Sequence, residues 1–298
     1  MKLLSHLKKD MDFNQSLYGL VDVLKSISIA QYRVLEKKVN LFEKFFTCLE
    51  DFFGLIDTDS SEHPLINVED RRGAVIAITS DGGLVGGLNA QVMNSALKEV
   101  RNNQAKLIVV GERGKVYAQE NNIPFVAFSG IKDESRLTQA EELRDYIIAQ
   151  ELSRKLGALK IIYPYPISII SQAVRVLQLL PFSTAAMIKS KQDSQSPALK
   201  DAFRPALKDG LRPAELVLES SLDDIAGYLV YLFLGHKFYE IFGLGRLAEL
   251  SGRFVHLENS KTKIEQLNKQ LKQQYFRQRH ELIDRNMREL LVARLQFK

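Results

Sequence analysis

Proline is missing from both ends of this chain: none precedes Pro64 and none follows Pro213. Nothing therefore breaks a helix in either terminal stretch. Tryptophan is absent, and cysteine occurs once, as Cys48. A lone cysteine excludes an internal disulfide and suits a reducing compartment; at a helical seam position it reads as a small core residue. His6, His63, His236, His256 and His280 form neither an HExxH pair nor a Cys/His cluster, which argues against zinc. There is no GxxxxGKS or GxxxxGKT loop and no GxSxG elbow, and no single stretch pairs a nucleophile with a base. Asp223 and Asp224 read as acids at a helix start rather than catalytic carboxylates. No cofactor and no catalytic residue is expected. Met1–Phe13 carries Asp10 and Asp12 and lacks the apolar block of a secretory signal. The most apolar run, Ile225–Leu234, falls far short of the ~20 residues that span a bilayer, so direct membrane insertion is not expected.

The chain is 298 residues long, 45% apolar and 26% charged, enough to bury a core. A net charge of +5 favours an acidic partner but is too small to point to nucleic acid. Residues 3–56 carry a heptad pattern. One seam holds Leu17, Leu24, Gln31, Lys38, Phe45 and Phe52; the other holds Leu20, Ile27, Val34, Leu41, Cys48 and Leu55. Such a stripe must meet another helix to leave water. At the far end, Ser221 with Asp224 fits a capping box, and a helix runs from Leu222 to about Arg294. Ile264, Leu267, Leu271, Tyr275, Gln278, Leu282 and Asn286 form its outer stripe, with a spacing that drifts toward eleven residues. Each terminal helix has an apolar stripe with nothing local to cover it, so the two are expected to pair antiparallel. Gly227, Gly235, Gly243 and Gly252 mark close helix approach or, alternatively, a break. The tail from Lys261 has ten Lys or Arg against four acids, which reads as a solvated face or as a basic tip among acidic partner loops.

Between the helices, Gly73–Thr79, Lys106–Val110, Pro124–Phe128 and Leu159–Tyr163 read as buried strands separated by helices near Ala90–Arg101, Glu112–Asn121 and Glu134–Leu156. That alternation predicts a largely parallel, Rossmann-like sheet. Gln172–Leu180 and Glu215–Glu219 would add a hairpin edge, joined by a long loop from Pro181 to Pro213. The expected fold class is α/β, with a coiled-coil helix at 1–56, an α/β domain at 57–220 and a second coiled-coil helix at 221–298.

Two glycine patterns stand out. Gly243-Leu244-Gly245-Arg246-Leu247-Ala248 formally matches GxGxxA but continues a helical pattern, so it lacks the strand-to-helix context a pyrophosphate site needs. Ser80-Asp81-Gly82-Gly83-Leu84-Val85-Gly86-Gly87-Leu88-Asn89 reads as a strand end, a tight turn and a helix start, with Asp81 expected to accept backbone hydrogen bonds within the turn. This decapeptide resembles the signature of the gamma subunit of F-type ATP synthases, Ser-Asp-Arg-Gly-Leu-Cys-Gly-Gly-Leu-Asn. Eight positions agree, with Gly82 for the family's Arg and Val85 for its Cys. Val23 to Arg33 can be laid on the family's amino-terminal block, where Lys25, Ala30 and Arg33 match. Near the carboxyl end Glu249, Arg253, Asn259, Leu267, Leu271, Tyr275, Arg279, Ile283 and Glu289 fall on family positions.

The resemblance implies a non-catalytic central-stalk rotor. Its coil would enter a ring of alpha and beta subunits, and its sheet domain would stand on a membrane rotor ring of c subunits beside an epsilon-type subunit. It implies a peripheral location at the cytoplasmic face of a bacterial inner membrane, and partner contacts at Asp81, Leu84, Asn89, Lys25, Arg279, His280 and Asp284. The family's Arg-Gln-Thr contact set keeps only Arg279; His280, Asp284 and Asn286 depart from it, which suits an altered grip or a divergent, alternative-type paralogue. Two other readings remain at this point: a nucleotide-binding α/β enzyme and a coiled-coil adaptor.

Overall fold

A computed structural model describes residues 2–39, 49, 63, 65, 72–153, 157–181 and 220–296. In chain order these form α1 (Lys2–Val39), β1 (Ala74–Ile78), α2 (Leu88–Asn103), β2 (Lys106–Val110), α3 (Glu112–Glu120), β3 (Phe125–Phe128), α4 (Arg136–Leu152), β4 (Leu159–Pro166), β5 (Gln172–Leu180) and α5 (Leu222–Gln296). The remainder of the first helix, the Glu215–Glu219 strand and most of the Pro181–Pro213 connection lie outside the described residues.

The sheet runs β3-β2-β1-β4-β5, with β1 parallel to β2 and β4, β2 parallel to β3, and β5 antiparallel on the edge of β4. Both faces are covered, which is why β1 is the unbroken apolar run Ala-Val-Ile-Ala-Ile. Ala74, Ile76 and Ile78 point to α4 and the inner part of α5, while Val75 and Ala77 point to α2 and α3. The result is a three-layer sandwich, as the strand–helix alternation predicts.

α5 is one unbroken helix of 75 residues, roughly 110 Å long at 1.5 Å per residue. Ser221 caps it: its hydroxyl accepts from the Asp224 N–H at 3.1 Å and donates to the Asp224 carboxylate at 2.6 Å. Glycines do not break it. A Cβ on Gly235 would lie 2.8 Å from Arg144 Nη1, and one on Gly227 2.6 Å from His63 Nε2, so these positions bring neighbours against the helix backbone. The GxGxxA match sits in mid-helix, with no strand leading into it.

α1 and α5 pack antiparallel. Tyr18 bonds Glu265, Lys261 bonds Asp22 and Lys25 pairs with Glu258, and in each case the two residue numbers add to 283. The heptad period is therefore right, and Leu17 and Leu24 of the predicted seam pack half-buried beside Val21, but the centre of the covered stripe lies one residue further on. The covered stripe of α1 runs through Leu4, Leu7, Met11, Asn14, Tyr18, Val21, Lys25, Ser28, Tyr32 and Leu35, at alternating spacings of three and four, with Leu17, Asp22, Leu24 and Ile29 half-buried along its flanks. Leu20, Ile27 and Val34, expected in the seam, are 56%, 47% and 59% exposed, and Gln31 and Lys38 are exposed as well. On α5, Leu267 is also exposed and Asn268 takes its place in the stripe. With that exchange the spacing from Ile264 through Leu282 becomes 4, 3, 4, 3, 4, an ordinary heptad without the predicted drift. Asn286 is exposed.

Candidate functional site

The glycine turn lies where β1 leaves the sheet and α2 begins. Asn89, in the first turn of α2, ties it closed: its carboxamide oxygen accepts from the Ser80 N–H at 3.1 Å and its amide donates to Ser80 Oγ at 2.8 Å. Ser80 Oγ in turn donates to the Gly82 carbonyl at 2.8 Å. Asp81 turns the other way and accepts from the Glu112 N–H at 2.9 Å, placing a carboxylate at the start of α3, where free amides and the helix dipole favour it. Gly130 leaves the room it needs, because a Cβ there would overlap the Asp81 carboxylate. With Asp81 and Asn89 engaged inside the chain, Leu84 is the residue this turn presents. It is 49% exposed and holds φ at 65°, a left-handed conformation that L-residues other than glycine and asparagine avoid.

Below the turn is a cleft of about 540 Å³ at the carboxyl ends of β1 and β4. In it, Glu249 of α5 accepts from Arg246 Nη1 at 2.6 Å on one carboxylate oxygen and from Arg253 Nη2 at 2.5 Å on the other. Burial opposes the Arg246 charge, but Glu249, with Asp133 and Asp81 behind it, holds the guanidinium above its ordinary pKa. The charges in the cleft are largely matched from within. Glu249 has its two arginines, Asp81 has the α3 amides, and Asp133 lies 3.8 Å from Arg246. The lining carries Asp81, Asp133, Glu134 and Glu249 against Lys132, Arg246 and Arg253, and its most buried charge, Glu249, is paired within α5, so the cleft reads as packing between α5 and the turn.

Along the coil, Lys25 lies in the seam, 2.7 Å from Glu258 and 3.6 Å from Asp22. Its ammonium is engaged within the coil. One step further, the hydrogen bond from Lys261 holds the Asp22 carboxyl below its usual range, and Asp22 with Tyr18 raises the Lys261 ammonium. Arg279, His280 and Asp284 lie on the exposed outer part of α5, about 40 Å beyond Arg253 at 1.5 Å per residue. Among the described residues neither Arg279 nor Asp284 makes an ion pair. The described α1 reaches only to a point opposite residue 281. Past it, Met287, Leu290 and Leu295 are 60%, 68% and 75% exposed.

The residues picked out from sequence thus fall at separate levels of a rod, not in one site: Asp81, Leu84 and Asn89 together at the turn, Lys25 in the coil, Arg279, His280 and Asp284 near the tip. Sequence reasoning missed the part of Arg246 and Ser251. Their only signal was polarity at positions where a helix facing a sheet would ordinarily carry aliphatic residues.

A family model described as ATP synthase matches residues 4–293. Among curated relatives, the ATP synthase gamma chain of an Exiguobacterium species is 26% identical over 190 residues, covering 61% of this chain and 67% of that one. The ATP synthase gamma chain of a Picosynechococcus species is 22% identical over 291 residues, covering 92% and 93%. Among solved structures, the rotor of the Euglena gracilis mitochondrial ATP synthase superposes with a TM-score of 0.64 at 17% identity, covering 95% of this chain and 99% of that one. The central stalk and c-ring structure of the Tetrahymena thermophila mitochondrial ATP synthase gives a TM-score of 0.58 at 15% identity, covering 81% and 99%. The superpositions establish a shared fold, and the family match, which runs through the coil, the glycine turn and the sheet alike, establishes that this chain belongs to the ATP synthase family.

Proposed function

We propose that the chain is a gamma-type central-stalk rotor subunit: a non-catalytic shaft that couples ion movement in a membrane sector to ATP synthesis or hydrolysis in a surrounding ring. The observation that carries this is a rod with apolar surface left over. α1 covers one side of its helix with α5, yet Phe13, Leu20, Ile27 and Val34, spaced every seven residues, stay exposed on another side. The outer end of α5 is equally bare. Surface of this kind on a rod that has already satisfied its own seam calls for an enclosing partner. An asymmetric shaft shows a different face to each surrounding site, so its angle can favour one site's state over another's, provided it contacts those states differently.

The partners in this reading are alpha and beta subunits around the coil, an epsilon-type subunit and a ring of c subunits at the sheet end, with membrane association only through them. No described helix is long and apolar enough to cross a membrane. The names of the relatives support the reading, and so does the covered seam. An adaptor that dimerised through its helices would need that seam free.

Co-expression with the alpha and beta subunits of its own source tests the reading. One copy of the chain is expected to elute with each ring, and ATP-driven rotation of a probe on the sheet domain should follow; a stable homodimer that ignores the ring would overturn it. At the tip, Arg279→Ala is expected to weaken assembly by about 1.5–3 kcal/mol, the worth of a hydrogen bond to a charged group. Asp284→Thr should strengthen assembly where that face meets acidic loops. Titrating each variant against the ring by fluorescence measures both.

A further inference from the structure

Two turns of α5, residues 245–253, touch three separate parts of the molecule. Leu247 and Leu250 pack on Tyr32 and Leu35 of α1. Ala248 packs on Val85 and Leu88 of the glycine turn, and a Cβ on Gly252 would lie 3.3 Å from the Val85 carbonyl. Ser251, with no exposed surface, reaches the β4–β5 turn: its hydroxyl lies 3.0 Å from the Ser168 carbonyl and 2.8 Å from that of Ile169, and accepts from Gln172 Nε2 at 2.6 Å. One hydroxyl has one proton to give, so Ser251 spends it on the Ser168 and Ile169 carbonyls while it accepts from Gln172 at the start of β5. On the adjoining face the Glu249–Arg253 pair serves the glycine turn. Arg253 Nη2 lies 2.9 Å from where a Cβ on Gly82 would stand, with Glu249 Oε1 at 3.6 Å, so the turn backbone rests on the guanidinium.

Both loops carry exposed apolar residues at their tips: Leu84 on the glycine turn, Ile167 and Ile170 on the β4–β5 turn. Loop tips of this kind are ordinarily mobile. Here the β4–β5 turn is hydrogen-bonded to the buried Ser251 hydroxyl and the glycine turn lies against the Glu249–Arg253 pair, both on the helix that also forms the coil.

We propose that Ser251 and the Glu249–Arg253 pair are positioning residues: Ser251 fixes the β4–β5 turn and Glu249 with Arg253 fixes the glycine turn, each independently, at set places around the base of the coil. In the rotor reading, on which the functional part of this inference rests, the two tips then turn with the shaft as rigid studs.

The test uses the full chain with Cys48 replaced by serine and pairs of spin labels. One label is at Val23→Cys on α1; the other is at Ile170→Cys, Leu84→Cys or, as a control, Lys98→Cys on α2. Ser251→Ala is expected to broaden the Val23–Ile170 distance distribution about twofold and leave Val23–Leu84 unchanged. Glu249→Gln is expected to do the reverse, and the Lys98 control should not move in either variant. Gln172→Ala cuts the Ser251 link from the other side and should reproduce the Ser251→Ala pattern. No broadening, or equal broadening of both tips, would overturn the proposal. In the assembled complex each variant should lower ions pumped per ATP hydrolysed by about half, while hydrolysis itself falls less. Unchanged pumping with the crossed pattern present would remove the functional part. Failure of the unaltered chain to join a ring would sink the rotor reading instead, leaving the distance measurements to decide the positioning role.

Discussion

The inner and outer parts of α5 are one helix in two environments. From Ile225 to Gly252 it is covered on nearly every side by the sheet, α4 and the two turns. From Leu257 outward only a stripe facing α1 is covered. All the glycines of α5 lie in the inner part, the last at Gly252. The comparison teaches how one unbroken helix serves as both core and shaft. Where neighbours press from all sides the sequence admits glycine, and the cost of about 1 kcal/mol each in helix propensity is offset by close packing. Where one neighbour suffices it turns to Lys, Gln and Glu, good helix formers that hold the rod straight without tertiary support.

The sharpest test of this contrast is truncation inside the inner part. Phe238 has no exposed surface, and Phe238→Ala should cost about 3–5 kcal/mol, measured by urea unfolding of the whole chain. Next comes the coil. Val21 is buried against Leu257 and Ile264, and Val21→Asp should cost about 2–4 kcal/mol through an unpaired polar group in the seam. That loss should appear as reduced helicity and early exchange of the α1 and outer α5 amides, while the sheet amides keep their protection. A single loss shared by both regions would break the division drawn here.

Acid separates the two parts by order. Burial and then the positive charge of Arg144 depress the His236 pKa, against a smaller opposing pull from Glu141. The folded state thus prefers neutral imidazole, and the inner part should lose stability once pH falls below ~6.5, the unfolded histidine value. Asp22 is depressed by Lys261. Its contribution to the coil is complete above ~3.9 and is lost as pH falls further, through its folded value. Melting curves from pH 8 to pH 3 should show the inner part weakening first; Asp22→Asn should erase the later step alone. The smallest effect belongs to the tip. Met287→Ala should change stability by less than about 0.5 kcal/mol, yet lower affinity for the ring in the same fluorescence titration.

Much of this architecture was legible. The strands showed as short β-branched runs, Gln172–Leu180 to the residue, and the terminal helices showed as proline-free periodic stretches. The phase of α1 was not legible, for a physical reason. Its inward positions mix Lys25 and Ser28 with Tyr18, Val21 and the half-buried Leu17 and Leu24, while Leu20, Ile27 and Val34, an apolar row without polar interruption, face away from α5. Pattern reasoning assigns the seam to the greasier side and cannot see that Lys25 is satisfied by Glu258, a residue 233 positions away. On α5 the same rule chose Leu267 over Asn268. At the glycine turn the residues were identifiable but not their division of labour, because Asp81 and Asn89 find their partners only when α2 and α3 are folded around them.

That division gives Leu84 a further meaning. A left-handed leucine costs its backbone roughly 1–2 kcal/mol relative to a relaxed conformation, and about half of its side chain is left in solvent. Asparagine, which tolerates that conformation better, would be the more comfortable occupant. A residue held at odds with its own backbone and pointed at solvent marks a trade between stability and fit. In the rotor reading we propose, that leucine is kept for a partner subunit, and Leu84→Asn is expected to make the free chain more stable and the assembled one weaker.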